Sequence, residues 1–88
     1  MKCKYMIEKM ELDGEIIGVP IGGNAAELHA VLNLNEEAMR ILELLRDETT
    51  EQDVVAQLLR EYDGTEAEIA TAVQAFIDQM RQEGLLEE

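Results

Sequence analysis

A change of pattern at Asn35 constrains the fold of this chain more than any other feature of its sequence. Before Asn35, apolar residues alternate loosely with polar ones, and four of the six glycines and the only proline interrupt them. After it, apolar residues recur at helical spacing in three segments that each follow a capping residue. A chain of 88 residues holds one domain. The sequence therefore predicts a single α+β domain over residues 1–88, with strands in about 4–34 and helices in about 36–84.

Three strands are predicted in the first part of the chain. Residues 4–12 and 15–21 flank Asp13-Gly14, a pair that favours a two-residue hairpin turn because both positions adopt positive φ. Pro20 lacks an N–H group, so we expect the strand pairing to fail or to bulge there. Residues 28–34 form the third predicted strand, in which the even-numbered residues make an apolar face.

Three helices are predicted in the second part. The first covers about residues 36–46, the second ends at Asp63-Gly64, and the third ends at Gly84. Leu85-Leu86 is then expected to fold back as a hydrophobic cap. The predicted N-terminal caps are Asn35, then Thr49 or Thr50, then Thr65 with Glu68 as a capping box.

The charge of the chain excludes several classes of partner. Twenty acidic residues stand against seven Lys and Arg, which gives a net charge of −13. A nucleic acid or an anionic membrane surface would be repelled, so we expect neither as a partner. No run of about 18 apolar residues is present that would span a bilayer.

Missing residue types restrict the chemistry. Without serine, the chain has neither a serine nucleophile nor an attachment site for the phosphopantetheine arm of a carrier protein. One Cys and one His are too few for a zinc site, and one Cys forms no internal disulfide, which fits a reducing cytoplasm. We therefore expect a cytoplasmic protein without serine-based, carrier or zinc chemistry.

The third predicted strand has a consequence for function. In a meander of three strands it lies at the edge of the sheet, where its main-chain N–H and C=O groups are unpaired. Residues 28–34 contain no Pro and no Lys, the residues that usually protect an edge. Either an extended peptide pairs with this edge, or a helix or a second copy of the protein covers it. The residues alone favour neither.

Residues 34–45, 50–63 and 73–86 of the helical part form three blocks that resemble those of a known protein family, the PqqD-like proteins. Residues 34–45 match its segment LN-x-x-A-x-x-I-L-x-L-L. Residues 50–63 are similar to its block T-x-x-x-(I/V)-V-x-x-L-x-x-x-Y-D, and residues 73–86 to V-x-x-F-I-x-x-L-x-x-x-G-L-L. The blocks stand in the family's order and cover about 50 residues.

The resemblance implies a winged-helix-like fold, with a three-stranded antiparallel sheet followed by a three-helix bundle. It also implies a protein that is not an enzyme and needs no cofactor. Members of that family bind the leader region of a ribosomally made precursor peptide and present it to a modifying enzyme, often a radical S-adenosylmethionine enzyme. Pyrroloquinoline quinone is one of several products that the family serves. The peptide is added as a strand to the third strand and packs against the third helix. Carried over to this chain, the peptide-binding residues would be His29, Ala30, Val31, Leu32 and Asn33 on the strand, and Glu68, Ala72, Ala75, Phe76 and Gln79 on the helix.

Simpler interpretations of these residues stay open. The chain could be an acidic adaptor or homodimer whose edge strands pair with each other, without affinity for peptides. Ala72 and Ala75 could pack closely against another helix, and Phe76 could belong to the core alone. An enzymatic alternative would have to use Cys3, His29, or helix acids such as Glu36, Glu37 and Glu43, which are more simply a solvated face.

Overall fold

The computed structural model describes residues 1–88 and contains two antiparallel sheets and three α-helices. One sheet has the order β2-β3-β4, and the other pairs β1 with β5. The predicted α+β fold, with a three-stranded antiparallel sheet followed by three helices, is confirmed. The elements are β1 (Lys2–Cys3), β2 (Met6–Leu12), β3 (Glu15–Ile21), β4 (Leu32–Leu34), α1 (Glu36–Leu44), α2 (Glu51–Glu61), α3 (Glu66–Gln82) and β5 (Leu86–Glu87).

The turn between β2 and β3 sets the hydrogen-bond pattern of the whole sheet. Asp13 and Gly14 have φ values of 53° and 80°, which confirms the predicted two-residue turn, and Leu12 pairs with Glu15. The pair that flanks such a turn exchanges both main-chain hydrogen bonds, and residues then alternate along the strand. The odd-numbered residues of β3 therefore direct their main-chain groups to β2, and the even-numbered ones direct theirs to β4.

Pro20 affects only one side of β3. Towards β2 the register continues without a break, with Pro20 opposite Ile7, so the expected failure of pairing is wrong there. Towards β4 the register ends at Gly18 opposite Leu32. The next main-chain groups on that side belong to Pro20, which has no N–H to donate. Proline therefore limits the length of β4.

The third predicted strand is shorter than expected. Only Leu32–Leu34 is a strand, whereas Ala25–Leu28 is a 3-10 helix followed by His29 with a φ of 52°. Continuing the register would place Ala30 opposite Pro20, so no ladder forms there. The alternation still predicts burial correctly, because Ala30 and both leucines of β4 are buried. Burial of every second side chain does not require a hydrogen-bonded strand.

The helix caps agree with the sequence. Asn35 Oδ1 accepts from the N–H of Ala38 at 2.8 Å, and the second helix is capped by Thr50, whose hydroxyl accepts from the N–H of Asp53. Thr65 and Glu68 form the predicted capping box. These local bonds satisfy main-chain donors that a helix N-terminus would otherwise leave unpaired.

The helices pack against one face of the β2-β3-β4 sheet and close the core. The chain ends are tied to this core by main-chain hydrogen bonds of 2.7 Å, from Cys3 N–H to Leu45 C=O and from Lys4 N–H to Leu85 C=O. Leu85 is fully buried and Leu86 pairs with Cys3, so the expected fold-back is confirmed, although the β1-β5 sheet was not predicted. None of the three helices has the length and apolar character that crossing a membrane requires. The fully buried large side chains are Leu32, Leu45, Val54, Val73, Ile77, Met80 and Leu85.

Candidate functional site

A cavity of about 250 Å³ opens between β4, α1 and α3, and we call it the β4–α3 groove. It is smaller than the roughly 300–1,000 Å³ of typical small-molecule sites, which suits a side chain better than a whole metabolite. Five residues that the sequence selected lie along it. The groove is lined by Asn33, Asn35, Glu37, Ala38, Ile41, Ala72, Ala75, Phe76 and Gln79.

The groove exists because α3 presents small side chains towards the sheet edge. Ala72 and Ala75 are exposed, so no neighbouring helix packs on them, and the interpretation of close helix packing is wrong. Phe76 is only 8 % exposed, and together with the buried Ala38 and Ile41 of α1 it forms an apolar floor. Phe76 is thus part of the core and of the groove at once.

The rim of the groove is polar. Asn33 belongs to β4, and Asn35 and Glu37 follow at the start of α1. Gln79 lies opposite on α3. An apolar floor with amide and carboxylate groups around it can accept an apolar side chain and hydrogen-bond the polar groups beside it.

The edge of β4 carries free main-chain groups next to this groove. Within the chain, β4 pairs only with β3. From the alternation set by the hairpin turn, Leu32 and Leu34 direct their N–H and C=O groups to β3. The N–H and C=O groups of Asn33 point away from the sheet. Those of Val31 do so as well where the chain stays extended. Only alternate residues of the predicted segment therefore offer main-chain groups to a partner.

Several predicted binding residues are placed elsewhere. His29 ends the 3-10 helix in a left-handed conformation and is exposed, and Ala30 is buried. Leu32 is fully buried, and its main chain faces Gly18. Glu68 is outside the groove, since its Oε1 accepts from both the N–H and the hydroxyl of Thr65. The role of Glu68 in the helix cap explains why a glutamate stands at this position.

Four lining residues were not selected from the sequence: Asn35, Glu37, Ala38 and Ile41. The sequence assigned them to the cap and the first turns of a helix, which is also correct. A signal was available, because an N-cap directly after the edge strand brings the first turn of α1 beside that edge. The strand pattern and the helix pattern are separate in the sequence, so neither by itself shows that the two elements meet.

One ion pair joins α1 to α2. Arg40 binds Glu61 through two hydrogen bonds, Nε to Oε1 at 2.7 Å and Nη2 to Oε2 at 2.8 Å, and Gln57 donates to the same carboxylate. Hydrogen bonds from Arg40 and Gln57 lower the pKa of Glu61 from its ordinary value of 4.5 to about 2. Partial burial is the largest cause that raises the pKa of Tyr62, and the carboxylates of Glu36 and Glu61 raise it further. This end of the helical layer is strongly acidic.

Cys3, one residue of the enzymatic alternative, is not activated as a nucleophile. The thiol of Cys3 donates to the carbonyl of Tyr5 at 3.1 Å, and burial raises the pKa of that thiol, which keeps it in the less nucleophilic form. No three His, Cys, Asp or Glu side chains are arranged so that they could hold a metal ion.

Comparison with known proteins gives two matches. The family model of "Coenzyme PQQ synthesis protein D (PqqD)" matches residues 22–86. The solved structure "TbiB1 in Complex with the TbiA(beta) Leader Peptide" superposes with a TM-score of 0.71 at 18 % sequence identity, over 99 % of this chain and 95 % of that one. At this identity the match supports the fold alone. No curated protein matches the chain.

Proposed function

Because the chain belongs to the PqqD family, we propose that it binds the leader region of a ribosomally made precursor peptide and presents it to a modifying enzyme. The observation that carries this proposal is the unpaired edge of β4 beside the β4–α3 groove. A protein of the same fold, TbiB1, has been solved with a leader peptide. Main-chain pairing would give affinity, and the groove would give specificity.

The proposed binding mode is addition of a strand to β4. The N–H and C=O groups of Asn33 point away from β3 and are free to pair with an extended peptide. Side chains of the added strand would alternate between the two faces of the sheet. Those on the helical side would reach the floor of Ala38, Ile41 and Phe76. Burying one large apolar side chain there would stabilise the complex by about 1.5–3 kcal/mol.

In this proposal the protein acts without covalent chemistry. It would hold a flexible precursor close to its modifying enzyme, which raises the local concentration of the segment to be modified. A radical S-adenosylmethionine enzyme is the partner that the family resemblance suggests. The protein itself would need no cofactor.

The alternative of a homodimer through paired β4 edges is disfavoured by charge. Residues 36–88 carry four Arg against 15 acids, a net charge of −11. Glu37 lines the groove directly beside the edge. Pairing two β4 edges would bring two acidic helical layers close together, whereas a neutral or basic peptide meets no such repulsion.

An NMR titration of the labelled protein with the leader peptide from its own gene cluster tests the proposal. We expect amide shifts concentrated at residues 31–35 and along the exposed face of α3 at Ala72, Ala75 and Gln79. Shifts on β2 instead would contradict the mode, and an absence of shifts at millimolar peptide would contradict the function. Sedimentation of the same sample distinguishes that outcome from self-association.

A further inference from the structure

A second cavity, of about 580 Å³, lies beneath the other edge of the sheet, between β2 and α1. We call it the β2–α1 cavity. Strand β2 has only β3 as a neighbour, so its outer edge is also unpaired. The cavity is lined by Cys3, Lys4, Tyr5, Met6, Ile7, Lys9, Met39, Leu42, Glu43 and Arg46.

The charged residues that line this cavity are mainly positive, whereas the molecule as a whole is negative. Lys4, Lys9 and Arg46 are three of only seven Lys and Arg in a chain of net charge −13. All three are exposed, and none makes an ion pair or a side-chain hydrogen bond. The one acid in the lining, Glu43, is bound by Arg40 at 3.1 Å.

This arrangement differs from a solvated surface of mixed charge. Arg40 and Arg81, by contrast, are each bound to two carboxylates. With acids in large excess, unpaired cations that gather in one place produce a local positive potential that favours an anionic ligand. Between them lie apolar side chains, including Met39 and Leu42 of α1. The matching ligand is a segment that carries both carboxylates and apolar side chains.

The apolar surface continues around β2 to the outer face of the sheet, which the helices leave uncovered. Met6 is 73 % exposed, Met10 48 % and Leu12 59 %, and their alternate positions place them on one face of the strand. An exposed apolar patch of this kind usually marks an interaction surface.

We propose that the β2–α1 cavity is a docking site for an acidic, apolar segment of a second protein, the enzyme that modifies the bound peptide. The identification of that enzyme as the partner rests on the proposed function. The two unpaired edges, β2 and β4, lie on opposite sides of the same sheet. Peptide and enzyme can therefore occupy the protein together without competing.

Charge reversal tests the proposal on the full chain. The dissociation constant of the purified modifying enzyme from the same gene cluster is measured with the wild type, Lys9→Glu and Arg46→Glu. Arg60→Glu is the matched control, since Arg60 is exposed on α2, has no ion pair and lies outside the cavity. We expect each cavity variant to weaken enzyme binding at least roughly tenfold and the control to change it less than about twofold. Circular dichroism verifies that all variants fold.

The outcomes separate this proposal from the proposed function. If leader binding is normal but the enzyme does not bind, the docking site is overturned. The same holds if all three substitutions affect enzyme binding equally. Loss of leader binding with normal enzyme binding overturns the proposed function alone. A dimer of the free protein that Lys9→Glu dissociates would identify a second copy as the occupant and overturn the proposal. Added salt should weaken enzyme binding to the wild type more than to Lys9→Glu.

Discussion

The two edges of the main sheet differ in length, charge and neighbouring cavity. The β2 edge has seven residues with Lys9 at its centre, and it borders a cavity with unpaired cations. The β4 edge has three residues, no charge, and a groove with an apolar floor. A central Lys protects an edge against strand pairing, because an added strand would crowd its charge. The longer edge is therefore suited to recognition by side chains, and the shorter one to recognition by main chain.

The largest expected effect comes from proline on the β4 edge. Asn33→Pro removes an outward N–H and should weaken leader binding by at least roughly tenfold, whereas Asn33→Ala keeps the main chain and should be nearly neutral. Lys9→Pro makes the same change on the β2 edge, where the N–H of Lys9 also points outward. We expect it to leave leader affinity unchanged. Isothermal titration calorimetry measures all three, and a larger loss for Lys9→Pro would reverse the assignment of the edges.

A second prediction tests whether the groove is what makes the β4 edge, and not the β2 edge, the site of leader binding. Ala72→Phe should fill part of the 250 Å³ groove and weaken leader binding roughly tenfold, because the peptide side chain loses its site. Ala67→Phe is the control, since Ala67 is exposed on the same helix but does not line the groove. Both positions are exposed, so stability should change by less than about 0.5 kcal/mol. Equal affinities of the two variants would remove the groove from the binding site.

A smaller effect is expected where a predicted contact is structural. Glu68→Ala opens the capping box of α3 and should lower the free energy of unfolding by about 0.5–1 kcal/mol. Because Glu68 is outside the groove, leader affinity should stay the same. Urea unfolding measures the free energy of unfolding, and calorimetry measures the leader affinity. A fall in affinity without a fall in stability would restore Glu68 to the binding site.

The smallest effect concerns the ion pair that holds α1, and with it the groove floor, against α2. The pKa of Glu61 is about 2 in the folded chain and 4.5 ordinarily, so its pair with Arg40 stabilises the fold fully above about pH 5. That contribution is lost as the pH falls from 4.5 towards 2. The difference in thermal midpoint between wild type and Glu61→Gln should therefore shrink over this range.

Asp47→Asn is the control for that measurement, since Asp47 is exposed and makes no ion pair. It removes the same charge without breaking a contact. A difference between wild type and Glu61→Gln that stays constant from pH 6 to pH 2 would show that the pair contributes nothing.

The helical part of the fold follows from local sequence, and the sheet does so only in part. The caps at Asn35, Thr50 and Thr65 each depend on a residue three positions away, so they can be identified without tertiary information. The start of β4 at Leu32 depends on Pro20, twelve residues before it. The alternation after Leu28 indicated which side chains are buried, but an irregular backbone buries them equally well.

The candidate site divides in the same way. The small residues Ala72 and Ala75 and the edge position of Asn33 were selected from the sequence and do line the groove. Asn35, Glu37, Ala38 and Ile41 were missed, because their helical pattern was a sufficient explanation by itself. Glu68 was selected for its spacing on the helix, which a capping box explains better.

The sequence by itself determined the α+β class, the tight turn, three capped helices, the buried face of the edge segment and the family resemblance. These depend on residues at most a few positions apart or on patterns that burial repeats along the chain. Only the tertiary structure decided which main-chain groups of β4 stay free, and that Lys4, Lys9 and Arg46 converge. Those three come from the segment before β2, from β2 and from the turn that follows α1. Distances between residues so far apart in sequence are fixed by packing, which no local pattern encodes.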